Sequence, residues 1–222
     1  MNKNVIAIDG HASTGKSTLA KRLAKRLGCL YMDTGYMFRV MAYLGLKDRY
    51  ITQDSLDEAA LMQEVSGLHF SWTETPKGLA MAFDGKVYGD EIRTEEVSSK
   101  VSQVAALKSI RDFLLQQQRA LAQDHKVIMD GRDIGTVVFP EAQFKFFMTA
   151  DAEIRAERRH QELLTKGMKS DFQTVLNNVI ARDQQDASRS IAPLRKAEDA
   201  IEINTGHLTV EEVEQLMIQH LQ

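Results

Sequence analysis

Gly10-x-x-x-x-Gly15-Lys16-Ser17 is the spacing at which a chain can seat a polyphosphate. Glycines let backbone N–H groups curl around an anion with no Cβ in the way, and the positive end of a following helix dipole points at the same place. Lys16 then reaches β- and γ-phosphates, and the Ser17 hydroxyl can ligate Mg²⁺. The plainer reading is a tight glycine turn. The flanks argue against it: Val5 to Ile8 is an apolar, partly β-branched run, and Leu19, Ala20, Leu23, Ala24 and Leu27 follow at helical spacing. Strand, loop and helix is the context the motif requires.

A second set of cations is too scattered to be a motif but suits a second anion. Arg39 stands alone in the apolar segment Tyr36 to Leu44, where it either snorkels to water or meets a phosphate. Val127-Ile128-Met129 runs into Asp130-Gly131-Arg132-Asp133, a strand end crowded with charge. Arg182, Asp186 and Arg189 fall on one side of a helix, either as a surface ion-pair ladder or as part of a site. Arg155, Arg158 and Arg159 precede a Lys166-Gly167-Met168-Lys169 loop, as either a solvated face or a mobile cover over phosphates. As a cover, its cations are expected to have nothing to neutralise in the empty protein. Two anion sites favour group transfer over a nucleotide-dependent switch that signals by shape.

Positioning these residues takes an α/β chain. Short apolar runs at Leu30 to Met32, Val127 to Asp130, Phe144 to Thr149 and Ala200 to Asn204 read as further strands. Helical patterns fill 52–66, with Asp54 or Ser55 as cap, then 94–123 behind a Thr94 cap, a stretch from Asp151, another from Phe172, and 209–221. Between Gly67 and Tyr88 the period becomes two: Leu68 to Trp72, Leu79 to Phe83 and Lys86 to Tyr88, with turns near Pro76-Lys77-Gly78 and at Asp84-Gly85. This is an antiparallel hairpin set, with Phe70, Trp72 and Phe83 as its small core.

The balance of 28 basic and 31 acidic residues, net −3, excludes a whole-surface field for nucleic acid, so any basic site is local. Cys29 is the only cysteine and reads as a small apolar residue. The six histidines lack paired ligand spacing. No apolar run approaches the ~20 residues of a membrane span, and Asp9 comes too early for a leader's apolar region, so the expectation is a cytoplasmic protein.

Over nearly its whole length the chain resembles the bacterial cytidylate kinases, in the nucleoside monophosphate kinase group. The likeness rests on the phosphate loop, Asp33-Thr34-Gly35 with Arg39, Glu91 to Val97, Ser102-Gln103-Val104-Ala105, Asp130 to Pro140, and Arg182-Asp183-x-x-Asp186-x-x-Arg189. It implies an α/β P-loop three-layer fold: about five parallel central strands, helices on both faces, an inserted NMP-binding lobe with a small antiparallel sheet, and an arginine-rich lid. The expected organisation is one kinase domain over 1–222, with core 1–45, 94–153 and 173–222, lobe near 46–93 and lid near 154–172. It implies phosphoryl transfer from Mg·ATP to CMP or dCMP by a monomer without nucleic-acid or membrane partners; the rivals are another small-molecule kinase, acting on UMP or a non-nucleotide acceptor, or a regulatory switch.

Residue by residue, the resemblance implies Gly10, His11, Ala12, Ser13, Thr14, Gly15, Lys16, Ser17 and Thr18 around the ATP phosphates, Ser17 at the metal, and Lys16, Arg132, Arg158 and Arg159 as catalytic cations. Thr34, Arg39, Arg132, Arg182 and Arg189 would hold acceptor phosphate, Asp186 the ribose, and Ser102, Arg111 and Asp133 the cytosine. Phe38 stands where a tyrosine is common, and Asn204-Thr205-Gly206 where Asp-Thr-Thr is usual. Ser102 and Arg111 lie on opposite faces of an unbroken helix. They can share a base only if the helix breaks between Ala106 and Ser109, where no proline forces it.

Overall fold

The computed structural model of the chain describes residues 2–76 and 78–221. β1 (Asn2–Gly10) buries Val5, Ala7 and Ile8 and pairs in parallel with two strands, β5 (Val127–Gly131) on one side and β6 (Ala142–Thr149) on the other. Strands flanked on both sides read as continuous apolar runs, and all five residues of β5 are buried. With β2 (Leu30–Asp33) and β7 (Ile201–Asn204) the parallel sheet has five strands in the order β2-β5-β1-β6-β7. α1 (Lys16–Leu27) buries Leu19, Ala20, Leu23 and Ala24 and stops at Gly28, whose left-handed backbone lets its N–H return to the Ala24 carbonyl. α8 (Val210–Leu221) adds Val213 and Met217 to the cluster of Ile8, Leu23, Ile128 and Phe146. It opens with a reciprocal cap: Glu212 N–H donates to Thr209 Oγ1 (3.2 Å) and Thr209 N–H to Glu212 Oε2 (2.7 Å).

The remaining helices are α2 (Thr34–Lys47), α3 (Glu58–Val65), α4 (Glu95–Val104), α5 (Lys108–Ala122), α6 (Ala152–Thr165) and α7 (Phe172–Ser188). β3 (Phe70–Thr75) and β4 (Gly78–Phe83) form a separate antiparallel pair. The chain divides into two compact units, one running up to Tyr31 and resuming at Lys126, the other Met32–His125.

Three expectations are corrected in the second unit. The hairpin set has two strands, not three. Asp84 (φ 48°) and Gly85 (φ 73°) make the turn and one bridge joins Phe83 to Lys86, but the Tyr88 N–H donates to the Tyr36 hydroxyl (2.9 Å), so no ladder continues. The cap of α3 is Asp57, which accepts the Ala60 N–H (2.9 Å); residues 52–55 are taken up by a turn built on Thr52, which accepts the Ser55 N–H (3.1 Å). The long helix expected over 94–123 is two helices, α4 and α5, parted at residues 105–107. Tight bonds from Ala106 N–H to Gln103 and Leu107 N–H to Val104 (both 3.1 Å) close α4, and the released Ala105 carbonyl accepts from Arg111 Nη1 (3.0 Å). Phe70 and Phe83 stack with ring centroids 4.6 Å apart, and Trp72 donates to the Leu121 carbonyl (3.1 Å). The turn expected around Lys77 falls on a residue outside those described.

Candidate functional site

The loop between β1 and α1 alternates unusual backbone conformations: Gly10 (φ 142°), Ser13 (φ 59°) and Gly15 (φ 90°). Gly10 has no alternative, since a Cβ there would collide with the Met148 carbonyl of β6. α1 begins at Lys16 with no acidic residue in its first turn and no side-chain cap, so its leading amides are not spent on a carboxylate. Thr14 Oγ1 donates to the His11 carbonyl (3.0 Å), and Lys16 Nζ folds over the loop onto the same carbonyl (2.5 Å). Lys16 is 5% exposed, and burial, reinforced by the Arg132 charge, pushes its ammonium down to about 7. His11 lies edge-on to Phe147, and its buried Nδ1 finds no hydrogen-bond partner among the described residues. Ser17 and Thr18 are exposed.

Asp130, at the carboxyl end of β5, receives two hydroxyls: Ser17 Oγ at Oδ2 (2.8 Å) and the Tyr31 OH at Oδ1 (2.7 Å). Downstream, Arg132 Nε donates to Asp186 Oδ2 (2.7 Å), and Arg189 Nη2 lies 3.6 Å from Asp186 Oδ1. Burial alone would raise the Asp186 carboxyl, but Arg132, Arg189 and Arg182 outweigh it and hold it below the usual carboxylate range. Arg132 and Arg182 also act on Lys16. The structure thus gathers Lys16, Arg132, Arg182, Asp186 and Arg189, chosen by sequence from three separate segments, into one charged cluster of the first unit. Asp133, buried at 6%, opens the segment that follows.

The basic stretch from Arg155 behaves differently from expectation. Its cations have partners within the protein itself. Arg155, 3% exposed, forks onto Asp183 (2.5 and 3.1 Å) and reaches the Ala12 carbonyl of the phosphate loop (3.3 Å). Arg158 turns to the loop after β7, donating to the Thr205 carbonyl (2.6 Å) and Thr205 Oγ1 (3.2 Å), while Arg159 pairs with Glu162 (2.8 Å). Sequence reasoning flagged all three arginines together. The one beside the phosphate loop is Arg155, and only the packing of α6 against α7 settles which of them faces it.

In the second unit, Thr34 is buried as the first residue of α2. Arg39 neither stands alone nor merely snorkels: Nη1 donates to Ser98 Oγ on α4 (2.9 Å). Ser102 sits on α4, and Arg111, 8% exposed on α5, lies 5.4 Å above the Phe38 ring. The break at residues 105–107 removes the geometric objection to Ser102 and Arg111 serving one ligand.

Asp130, Asp9 and Thr205 stand beside these residues without belonging to the expected set. Thr205, 2% exposed, donates to the Thr14 carbonyl (3.0 Å) and so ties the β7 loop to the phosphate loop. Asp130 carried a signal, a carboxylate closing an apolar run; Thr205 carried none, because its partner lies far off in sequence.

The family model of cytidylate kinases matches residues 6–222. A cytidylate kinase of Phocaeicola vulgatus is 41% identical over 225 residues, covering 100% of this chain and 98% of the relative. One from Geobacillus sp. (strain WCH70) is 45% identical over 214 residues, with 96% and 94% covered. Among solved structures, an uncharacterized protein from Eubacterium ventriosum ATCC 27560 matches at TM-score 0.50 and 13% identity, over 99% of this chain and 98% of that one, a likeness of fold alone. Phosphate loop, arginine cluster and parallel sheet therefore sit in a chain whose full length matches one family: it belongs to the cytidylate kinases.

Proposed function

We infer that the protein transfers the γ-phosphoryl group of ATP to CMP or dCMP, giving ADP and CDP or dCDP. The observation that carries this reading is the charged cluster: a buried lysine of a donor phosphate loop and three arginines around Asp186, in a chain of this family. Phosphoryl transfer demands little covalent chemistry, and the acceptor phosphate is already an anion, so alignment and charge neutralisation suffice. In this reading Lys16 follows the charge moving off the γ-phosphorus, and the loop amides from Gly10 to Thr18 cradle the donor. Arg132, Arg182 and Arg189, with Arg39 and Thr34, hold the acceptor phosphate. Asp186 serves the ribose; Ser102, Arg111 and Asp133 read cytosine; Arg155, Arg158 and Arg159 belong to a segment that covers the phosphates.

The donor set suits Mg²⁺: a hydroxyl and a carboxylate, Ser17 and Asp130, both hard oxygen ligands hydrogen-bonded to one another. Held there with ATP, the ion would supply charge neutralisation for the triphosphate. Ser17 would supply an oxygen, and Asp130, which accepts the Tyr31 hydroxyl, would hold Ser17 in place.

A proton accompanies donor binding. Burial holds the Lys16 ammonium down at about 7 and triphosphate oxygens stabilise its charged form, so between pH 7 and the ordinary lysine value of about 10.4 ATP binding should take up a proton and weaken as pH rises. The stability of the empty protein moves the other way: the unfolded chain keeps this proton to higher pH than the folded one, so raising pH through that window favours the folded state as far as Lys16 is concerned. Calorimetry at pH 8 in two buffers of different ionisation enthalpy should show the uptake; identical enthalpies would contradict it.

Offering CMP, dCMP, UMP, AMP and GMP with Mg·ATP tests the substrate assignment. CDP and dCDP should dominate. Equal use of UMP would remove the base-reading role of Asp133, because the uracil O4 would face its carboxylate acceptor to acceptor, a mismatch of ~1–3 kcal/mol.

A further inference from the structure

Asp9 is the penultimate residue of β1, directly before Gly10 of the phosphate loop, and its side chain points elsewhere. It is 4% exposed, with Oδ1 accepting the Ile134 N–H (2.8 Å) and Oδ2 the Gly135 N–H (2.7 Å). Those amides open a single wide helical turn, Ile134–Val138, immediately after Arg132 and Asp133. Within the turn Val138 N–H bonds back to Asp133 (3.2 Å) and Phe139 N–H to Ile134 (2.7 Å), the five-residue spacing of a π turn, so its first amides lack partners inside it. One carboxylate satisfies both. A Cβ at Gly135 would press on the Lys145 side chain, 3.1 Å from its Cδ, and would come into ordinary contact with Asp9 Oδ2 at 3.4 Å. Burial drives the Asp9 carboxyl up to about 7 even against these two bonds and the nearby Lys16 charge, a cost that an apolar residue at this position would avoid.

We propose that Asp9 is a positioning residue: through the Ile134 and Gly135 amides it holds Arg132 and Asp133 in fixed register with the phosphate loop that its own backbone enters. The donor loop and the acceptor-reading segment are thereby set by one residue. This rests on Arg132 and Asp133 being acceptor-binding residues.

Two substitutions perturb the clamp from opposite sides. Asp9→Asn keeps the shape but points an amide NH₂ at one of the two N–H groups, while Gly135→Ala presses a methyl onto the Lys145 side chain and so shifts the turn that Asp9 holds. In each variant KM for CMP should rise about tenfold, as for one lost charge-assisted hydrogen bond, while KM for ATP moves less than about threefold. The CMP-to-UMP ratio of kcat/KM should narrow, and the double variant should be little worse than the poorer single one, because both act on one contact. Unchanged KM for CMP in both variants, or equal rises for CMP and ATP, would overturn the proposal. If Asp9→Asn does not fold, Gly135→Ala decides by the same split. If the wild-type protein leaves CMP unphosphorylated, the functional reading is what fails, and calorimetric binding of CMP to wild type and variants still reads the positioning.

Discussion

Replacing Lys16 by alanine should lower kcat on the order of a thousandfold while leaving CMP affinity nearly unchanged, the size of loss seen when a preorganised charge is removed from a transition state. Folding is not expected to suffer. Lys16 is 5% exposed, with the His11 carbonyl as its ammonium's near partner, and burial pulls that ammonium down to about 7. Deleting a strained buried cation relieves desolvation, so the melting temperature of the variant should hold or rise. Loss of turnover with an intact fold would place Lys16 in the chemistry. Near-wild-type turnover would remove it.

The Asp186→Ala protein should be destabilised as well as impaired. Asp186, Arg132 and Arg189 have side chains 7%, 19% and 8% exposed, so removing the carboxylate leaves two poorly solvated guanidinium groups facing each other and Arg182. Breaking such a buried pair costs about 3–5 kcal/mol, and for a chain of this size that lowers the melting temperature by roughly 10 °C. Acceptor binding should weaken alike for CMP and UMP, since the base is read elsewhere. Because Asp186 is held below the usual carboxylate range, its contribution is complete above the unfolded value near 3.8 and is lost as pH falls through the lower folded value. The gap in melting temperature between wild type and variant should therefore close in strong acid. A gap that stayed constant down to that range would mean that Asp186 acts by packing alone.

What could be read from the residues was what is local. The phosphate loop is local chemistry: its glycines, its lysine and the apolar strand before it are neighbours in the chain, and the structure places them together. The strands at Val127, Phe144 and Ile201 are apolar runs too short for helices, and they form the sheet. The break between α4 and α5 was not legible, because neither glycine nor proline marks it; it is held by an arginine reaching back to Ala105. The third hairpin strand failed for a similar reason, its amide taken by Tyr36 from another helix. Among the site residues, Arg182 and Asp186 could be grouped by helical spacing; Arg189 lies just past the end of α7 with extended backbone rather than on the helix, and that Arg132 joins them depends on a contact across 54 positions of sequence. Asp9 acts across still more, 125 and 126 positions, and nothing near it in the sequence betrays the role.

Phosphate passes from one nucleotide to another rather than to water, and phosphorus NMR of the wild-type protein with Mg·ATP and CMP reads that transfer directly. CDP and ADP should appear in equal amounts, with no ADP formed when CMP is withheld. ADP accumulating with inorganic phosphate and without CDP would contradict the account.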